Sequence, residues 1–245
     1  MREIDAKGIH YKQLNELIRN AVRDGEKKIV LRNVNGQRYI GDGLTGTDVE
    51  IIVHGVPGND LAAFMDGPTI LVNNNAQDAV GNTMNSGKVV VHGDAGDIVG
   101  YGMRGGEIYI RGNVGYRVGI HMKSYQHMYP VLVVGGLARD FLGEYMAGGL
   151  LVLLGLDIGD EKIARNYIGT GMHGGEIYIR GEVEKYQFGK EVGVKEPGEE
   201  DYKRLVKYLR RFCEYFHYNL DEILKEDFIR LVPVSHRPYG TLYAY

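Results

Sequence analysis

The chain of 245 residues has one cysteine, no tryptophan and only six prolines. A single cysteine excludes an internal disulfide, a CxxC redox pair and an all-cysteine zinc or iron–sulfur site. Neither sign of charge dominates, because 29 lysines and arginines face 32 aspartates and glutamates for a net charge of −3. That balance argues against a nucleic-acid or membrane-surface partner. No apolar run approaches the ~20 residues that span a bilayer. The opening MREIDAKGIH carries no signal-peptide apolar core, so a cytoplasmic location is expected. The sequence contains neither a GxSxG nucleophile elbow nor a GxxxxGK[ST] phosphate loop.

What is abundant is glycine, 36 residues or about twice ordinary usage, and its positions repeat. Segments starting at Gly46, Met65, Met84 and Met103 align at a spacing of 19 residues, and further copies follow, with insertions, at PVLVVGG, Met146 and Met172. Seven copies cover residues 43–190. One column holds Gly43, Ala62, Gly81, Gly100, Gly119, Gly143 and Gly169; a second holds Gly55, Asn74, Gly93, Gly112, Gly135, Gly155 and Gly181. Between them lie β-branched triplets such as Ile51-Ile52-Val53 and Ile108-Tyr109-Ile110. Short strands closed by residues that tolerate positive φ, one set per period, describe a parallel β-helix of about seven coils.

The flanks read as caps. Leu14, Leu17, Ile18, Ala21 and Val22 form one helical stripe in residues 9–24, and Tyr202, Leu205, Leu209, Phe212 and Phe216 form another in 199–217. KKIVLRNVNGQRYIG reads as a strand, an Asn-Gly turn and a second strand. The chain is therefore expected to be one domain, 1–245: an N-terminal helix and hairpin (1–42), coils (43–190), then a helical cap and tail (191–245).

The motifs that suggest chemistry are better explained by backbone geometry. GxGxxG occurs three times, at Gly41-Gly43-Gly46, Gly100-Gly102-Gly105 and Gly169-Gly171-Gly174. A dinucleotide site requires a helix after the third glycine, whereas these copies run into strands such as GGEIYIRG. His54 and His92 share a column but lie two rungs apart, roughly 9.6 Å, too far for one zinc to bind both along a straight column. His121, His127 and His173 fall near loops and could converge in space. Cys213 sits on the apolar stripe of the second helix, as a core residue would. Glu107 and Glu176 read as locally paired with Arg111 and Arg180. A groove enzyme acting on carbohydrate would need paired carboxylates on one face, and the outward columns show none. No catalytic, cofactor-binding or metal-ligating residue is expected in this chain.

One feature calls for a partner. The central triplet positions Ile52, Leu71, Val90, Tyr109, Leu132, Val152 and Tyr178 point outward if their neighbours point in, making an apolar stripe nearly 30 Å long. Soluble proteins seldom leave such a stripe in water. Either one of the chain's own helices or a separate partner chain lies over it.

The pattern G-x-x-M-x-G-G-x-I-x-I-x-G, seen in Gly100–Gly112 and Gly169–Gly181, resembles the GXGXG domain at the C-terminus of the glutamate synthase large subunit, a domain that also forms part of formylmethanofuran dehydrogenase. IDAKG, NGQRYIGDGL and DFIRLVPVSHRP resemble the glutamate synthase version. The resemblance implies a right-handed β-helix with no catalytic residues of its own. It implies a structural subunit that positions a glutaminase chain and a synthase chain carrying FMN and an iron–sulfur cluster, as in split, multi-chain forms of the enzyme. Self-association is compatible with it. A scaffold of a formylmethanofuran dehydrogenase-like molybdenum or tungsten enzyme is the alternative implied by the same motif. The tail after Arg230 is more aromatic than that family's end.

Overall fold

The triplets of the repeat form strands because aliphatic side chains alternate between the inside and the outside of each coil. In the computed structural model, which describes residues 1–234, eight strands stack in chain order. They are β2 (Lys28–Asn35), β3 (Glu50–Val56), β4 (Asp66–Val72), β5 (Ser86–Val91), β6 (Glu107–Ile110), β7 (Val131–Val134), β8 (Ala147–Leu153) and β9 (Gly174–Arg180). Each is parallel to the next, and Ile51, Ile70, Val89 and Ile108 pair at the 19-residue period. The fold is a parallel β-helix, with six turns of coil joining β3 to β9. Each coil below is named by its strand.

The interior is a dry column. Ile51, Ile70, Val89, Ile108, Leu132, Leu151 and Ile177 form one inner ladder, and Met65, Met84, Met103, Met122, Met146 and Met172 another, all at 0–1% exposure. Each such aliphatic side chain stabilises the fold by about 1.5–3 kcal/mol relative to exposure.

The two glycine columns answer different demands. In the Gly81 column φ is positive and the α-position faces inward: a Cβ on Gly81 would stand 2.3 Å from Ile108 Cδ1, and one on Gly143 2.4 Å from Ile177 Cδ1. The columns two residues to either side are also left-handed, yet hold Tyr39, Asp60, Ile98, Arg117, Phe141 and Tyr167, or Phe64, Thr83, His121 and Tyr145. Positive φ alone therefore does not require glycine here; at Gly41, Gly81, Gly119, Gly143 and Gly169 close approach does. At Gly93 and Gly112 the expected positive φ is absent. Glycine stands there because side-chain oxygens of the preceding coil come within 2.1 Å of where Cβ would lie. Those oxygens form a ladder: Asn75 Oδ1 accepts from Asp94 N (2.9 Å), Asp94 Oδ1 from Asn113 N (2.7 Å), and Asn113 Oδ1 from Leu137 N (2.9 Å). A second ladder joins Asp78 to Asp97 N and Asp97 to Tyr116 N, each at 2.9 Å. Side chains here replace the strand hydrogen bonds that this face lacks.

Both ends are closed. β1 (Arg2–Asp5) pairs parallel to β2, and α1 (Tyr11–Arg23) packs Leu14, Ile18 and Ala21 into the core. The hairpin expected at NGQRY does not form. Gly36 N bonds Val56 O at 2.8 Å and Tyr39 N bonds Asn59 O at 3.0 Å, so the segment is one more coil corner. Asn-Gly suits either geometry, and parallel neighbours on both edges of β2 take its hydrogen bonds. Buried Gln37 and Gln187 bond main-chain carbonyls near the two ends, Ala6 O at 2.9 Å and Ala164 O at 2.7 Å. At the far end β11 (Phe228–Pro233) runs antiparallel to β9 and β10 (Val192–Lys195) antiparallel to β11. α2 (Glu199–Phe216) and the short α3 (Leu220–Ile223) complete the described chain. The aromatic tail from 235 onward, with His236, lies outside the described residues.

Candidate functional site

The outer face of the sheet carries the stripe expected from sequence, with one correction. Ile52, Leu71, Val90, Tyr109, Val152 and Tyr178 share a register, but the residue between Tyr109 and Val152 is Val133. Leu132 pairs with Ile108 and points into the core. The difference comes from anchoring the phase on Gly135. It is Gly136 whose amide bonds Gly112 O (2.9 Å), and one residue of slip turns every side chain over.

The chain's own helix covers most of this stripe, which corrects its assignment as partner-facing. Leu205, Leu209, Phe212 and Phe216 of α2 form one buried cluster with Val90, Tyr109, Val133, Val152 and Tyr178. Leu71 packs at its margin, and Ile52 lies beyond it and is half-buried. α2 runs back along the stack, from Asp201 at Tyr178 through Arg211 at Glu107 to Phe216, whose ring meets His92 edge-on at 5.1 Å.

Charge fixes the register of α2. Tyr109 donates to Glu107 Oε2 at 2.7 Å, and Arg211 pairs with the same carboxylate. Tyr178 donates to Asp201 Oδ1 at 2.8 Å, Arg204 lies 2.5 Å from Glu176, and Arg230 of β11 bridges Glu176 and Asp201. Burial first, then the neighbouring carboxylate, pushes both phenols far above the ordinary tyrosine range, so they act here as hydrogen-bond donors. The Tyr129 phenol beside this cluster is pushed up to about 12, chiefly by burial. Burial works to raise Asp201, but the Gly198 amide, the Tyr178 hydroxyl, Arg230 and Arg204 outweigh it and hold the carboxyl below its ordinary value. The local pairs expected from sequence are not those formed. Glu107 takes Arg211 rather than Arg111, and Arg180 takes Glu226 at 2.7 Å while Glu176 takes Arg204 and Arg230.

The remaining candidates are dispersed. Asn73 Nδ2 lies 3.4 Å from His54 Nδ1, between the two histidines of that column. His173 Nδ1 lies 3.2 Å from Gly171 O. Among the described residues no three His, Cys, Asp or Glu side chains are grouped to hold a metal ion. Cys213 is half-buried beside the α2 cluster, its thiol raised by burial and by Glu214. A cleft of about 400 Å³ opens beside the inserted loop of the β8 coil, lined by Ile158, Lys162, Ile163, Arg180 and Glu226.

One surface was not foreseen. Along the left-handed corner, aromatic rings of successive coils stack on one another: His121 on Tyr145 at 5.4 Å, Phe141 on Tyr167 at 4.8 Å, and the Arg117 guanidinium on Phe141 at 4.6 Å. Tyr101, Tyr116, Tyr145 and Tyr167 are 39–55% exposed. Tyr145 shares a repeat column with His121 and Tyr167 shares one with Phe141, a signal present in the sequence once inserts are placed.

The family model described as the GXGXG motif matches residues 10–234, from α1 through β11. The chain belongs to the GXGXG motif family. This is the domain found in the glutamate synthase large subunit. An uncharacterized protein of Methanocaldococcus jannaschii is 52% identical over 248 residues, covering 98% of this chain and 95% of that protein. The glycines that name the family are those of the corner: Gly41 and Gly43, Gly100 and Gly102, Gly169 and Gly171, all at positive φ. In this GXGXG chain they form backbone corners, with no helix following them to receive a pyrophosphate. Among the described residues no helix is long and apolar enough to cross a membrane.

Proposed function

We propose that this chain is the scaffold subunit of a glutamate synthase complex. It performs no chemistry and holds a separate glutaminase chain and a separate synthase chain, the latter carrying FMN and the iron–sulfur cluster. The observation that supports this reading is how the family's own glycines are used. A Cβ on Gly41 would meet Ile70 at 2.5 Å and one on Gly169 would meet Val192 at 2.5 Å, so the first glycine of these two copies serves packing of coil on coil. The carboxylates of the outward column that holds Glu50, Glu107 and Glu176 are tied to basic side chains, Glu50 to Lys28 and the other two to arginines. A rigid stack presenting polar coils beyond the end of α2 suits a spacer between larger partners.

Reconstitution from purified chains tests the proposal. This chain should form a stable complex with the synthase and glutaminase chains on size exclusion. Glutamine-dependent glutamate formation should fall markedly when it is omitted, and the chain alone should show no flavin absorbance. Full activity of the other two chains without it, together with no association, would refute the role.

A further inference from the structure

The far end of the solenoid concentrates negative charge around two adjoining clefts. Residues 156–165, 180–201 and 221–227 supply most of their walls and hold 14 acidic and 7 basic residues, although the whole chain is only three charges negative. The remainder of the chain is therefore net positive. The first cleft, of about 400 Å³, is the one beside the inserted loop of the β8 coil. It sets an apolar wall of Ile158, Ile163 and Val183 beneath Glu161, Glu182, Glu184 and Glu226. The second, of about 690 Å³, lies where the link from β10 to α2 faces the start of β11. Its floor is Pro197, Tyr202, Phe228 and Ile229, with Tyr202 edge-on to Phe228 at 6.5 Å, and its carboxylates are Glu182, Glu196, Glu226 and Asp227.

Gly181, Glu182 and Glu226 belong to both clefts, so the two form one continuous track. The six acidic residues along it are exposed. Among the described residues only two bases line the track, both in the first cleft, and both are engaged. Arg180 pairs with Glu226 at 2.7 Å and donates Nε to Ile223 O at 2.9 Å, while Lys162 Nζ lies 2.6 Å from the Tyr186 hydroxyl. The carboxylates do not converge on a point, since no three of them are grouped to hold a metal ion. Acids strung along a track with apolar surface between them match an extended chain, not a single ion. Lysine and arginine suit such a track, because their methylene stems lie on apolar surface while the charged heads reach the carboxylates. Contact between this end and the positive remainder of another copy would be head-to-tail, an arrangement that does not close in a straight stack.

We propose that this track docks a basic segment of a separate protein chain, one in which arginine or lysine alternates with aliphatic residues. The inference is independent of the glutamate synthase reading, because it rests on the charge and shape of this end alone.

Two fluorescein-labelled hexapeptides test it, one alternating arginine with leucine and the other arginine with serine. By fluorescence anisotropy at low salt, the leucine peptide should bind the full chain about tenfold more tightly than the serine peptide. Its affinity should fall as salt screens the charges. Glu182→Gln with Glu196→Gln should weaken it about tenfold. Glu16→Gln with Asp24→Asn removes the same charge from exposed positions on and just after α1, at the opposite end, and should leave the affinity within about twofold. No binding of the leucine peptide, equal affinity for the two peptides, or equal weakening by the two variant pairs would each overturn the proposal. Self-association of the unmodified chain that Glu182→Gln with Glu196→Gln abolishes would also overturn it, because another copy would then be the occupant. Circular dichroism of every variant separates lost binding from lost folding.

Discussion

At Gly93 the site of a side chain is already taken by the Asn75 amide oxygen, which in turn holds the Asp94 main chain. Gly93→Ala must push that oxygen away and leave Asp94 N unpaired, a cost of about 2–5 kcal/mol. Gly43 differs: its φ is +59° and nothing lies within 4 Å of an added Cβ, so Gly43→Ala should cost only about 1–2 kcal/mol. Urea midpoints of the two variants check the order, and equal losses would show that the Asn75 oxygen is not what selects glycine at position 93. Most of the corner residues were legible from the 19-residue spacing, but that spacing put Gly43 where the structure puts Gly41, whose neighbour Ile40 accepts from Ala62 N, and Gly135 where it puts Gly136. Why they are glycine was not, because the reason at Gly93 is an oxygen on a side chain one coil away. The matching spacing of Asn75, Asp94 and Asn113 was the available signal.

At the scale of elements, α2 decides how the sheet meets water. Phe212 is fully buried between the sheet and Phe216, and Phe212→Ala should cost about 3–5 kcal/mol, read from denaturant unfolding. The clamp should also loosen in acid. Asp201 is held below its ordinary value of 3.8 in the folded chain and returns to it on unfolding. The stability it supplies is therefore complete above that value and is lost as pH falls through the depressed folded one. Asp201→Asn should remove this acid-dependent component from the urea midpoint measured between neutral pH and pH ~3, and an unchanged acid limb would show that the carboxyl is not coupled to folding. The sequence marked α2 as amphipathic and the stripe as apolar without saying that one covered the other. The clue lay in the flanking outward columns, which turn apolar at Val131, Leu150 and Leu154 where the helix sits.

For the whole molecule, each coil touches chiefly its neighbours, so protection should vary along the stack rather than rise and fall as one. Hydrogen exchange should be slowest in β5–β8, which have a coil on both sides and α2 above, and fastest at the edge strands β1 and β10. Uniform exchange across all coils would indicate a single cooperative unit instead.

The sequence by itself determined the repeat, the strands of the coils, most of the corner positions and both capping helices, because a solenoid writes its geometry into fixed spacing and local residue type. Only the tertiary structure decided which face α2 covers, that Val133 rather than Leu132 faces it, and which arginine each carboxylate takes. Those outcomes depend on contacts between segments tens of residues apart, or on one-residue phase shifts at insertions, and neither leaves a periodic trace in the chain.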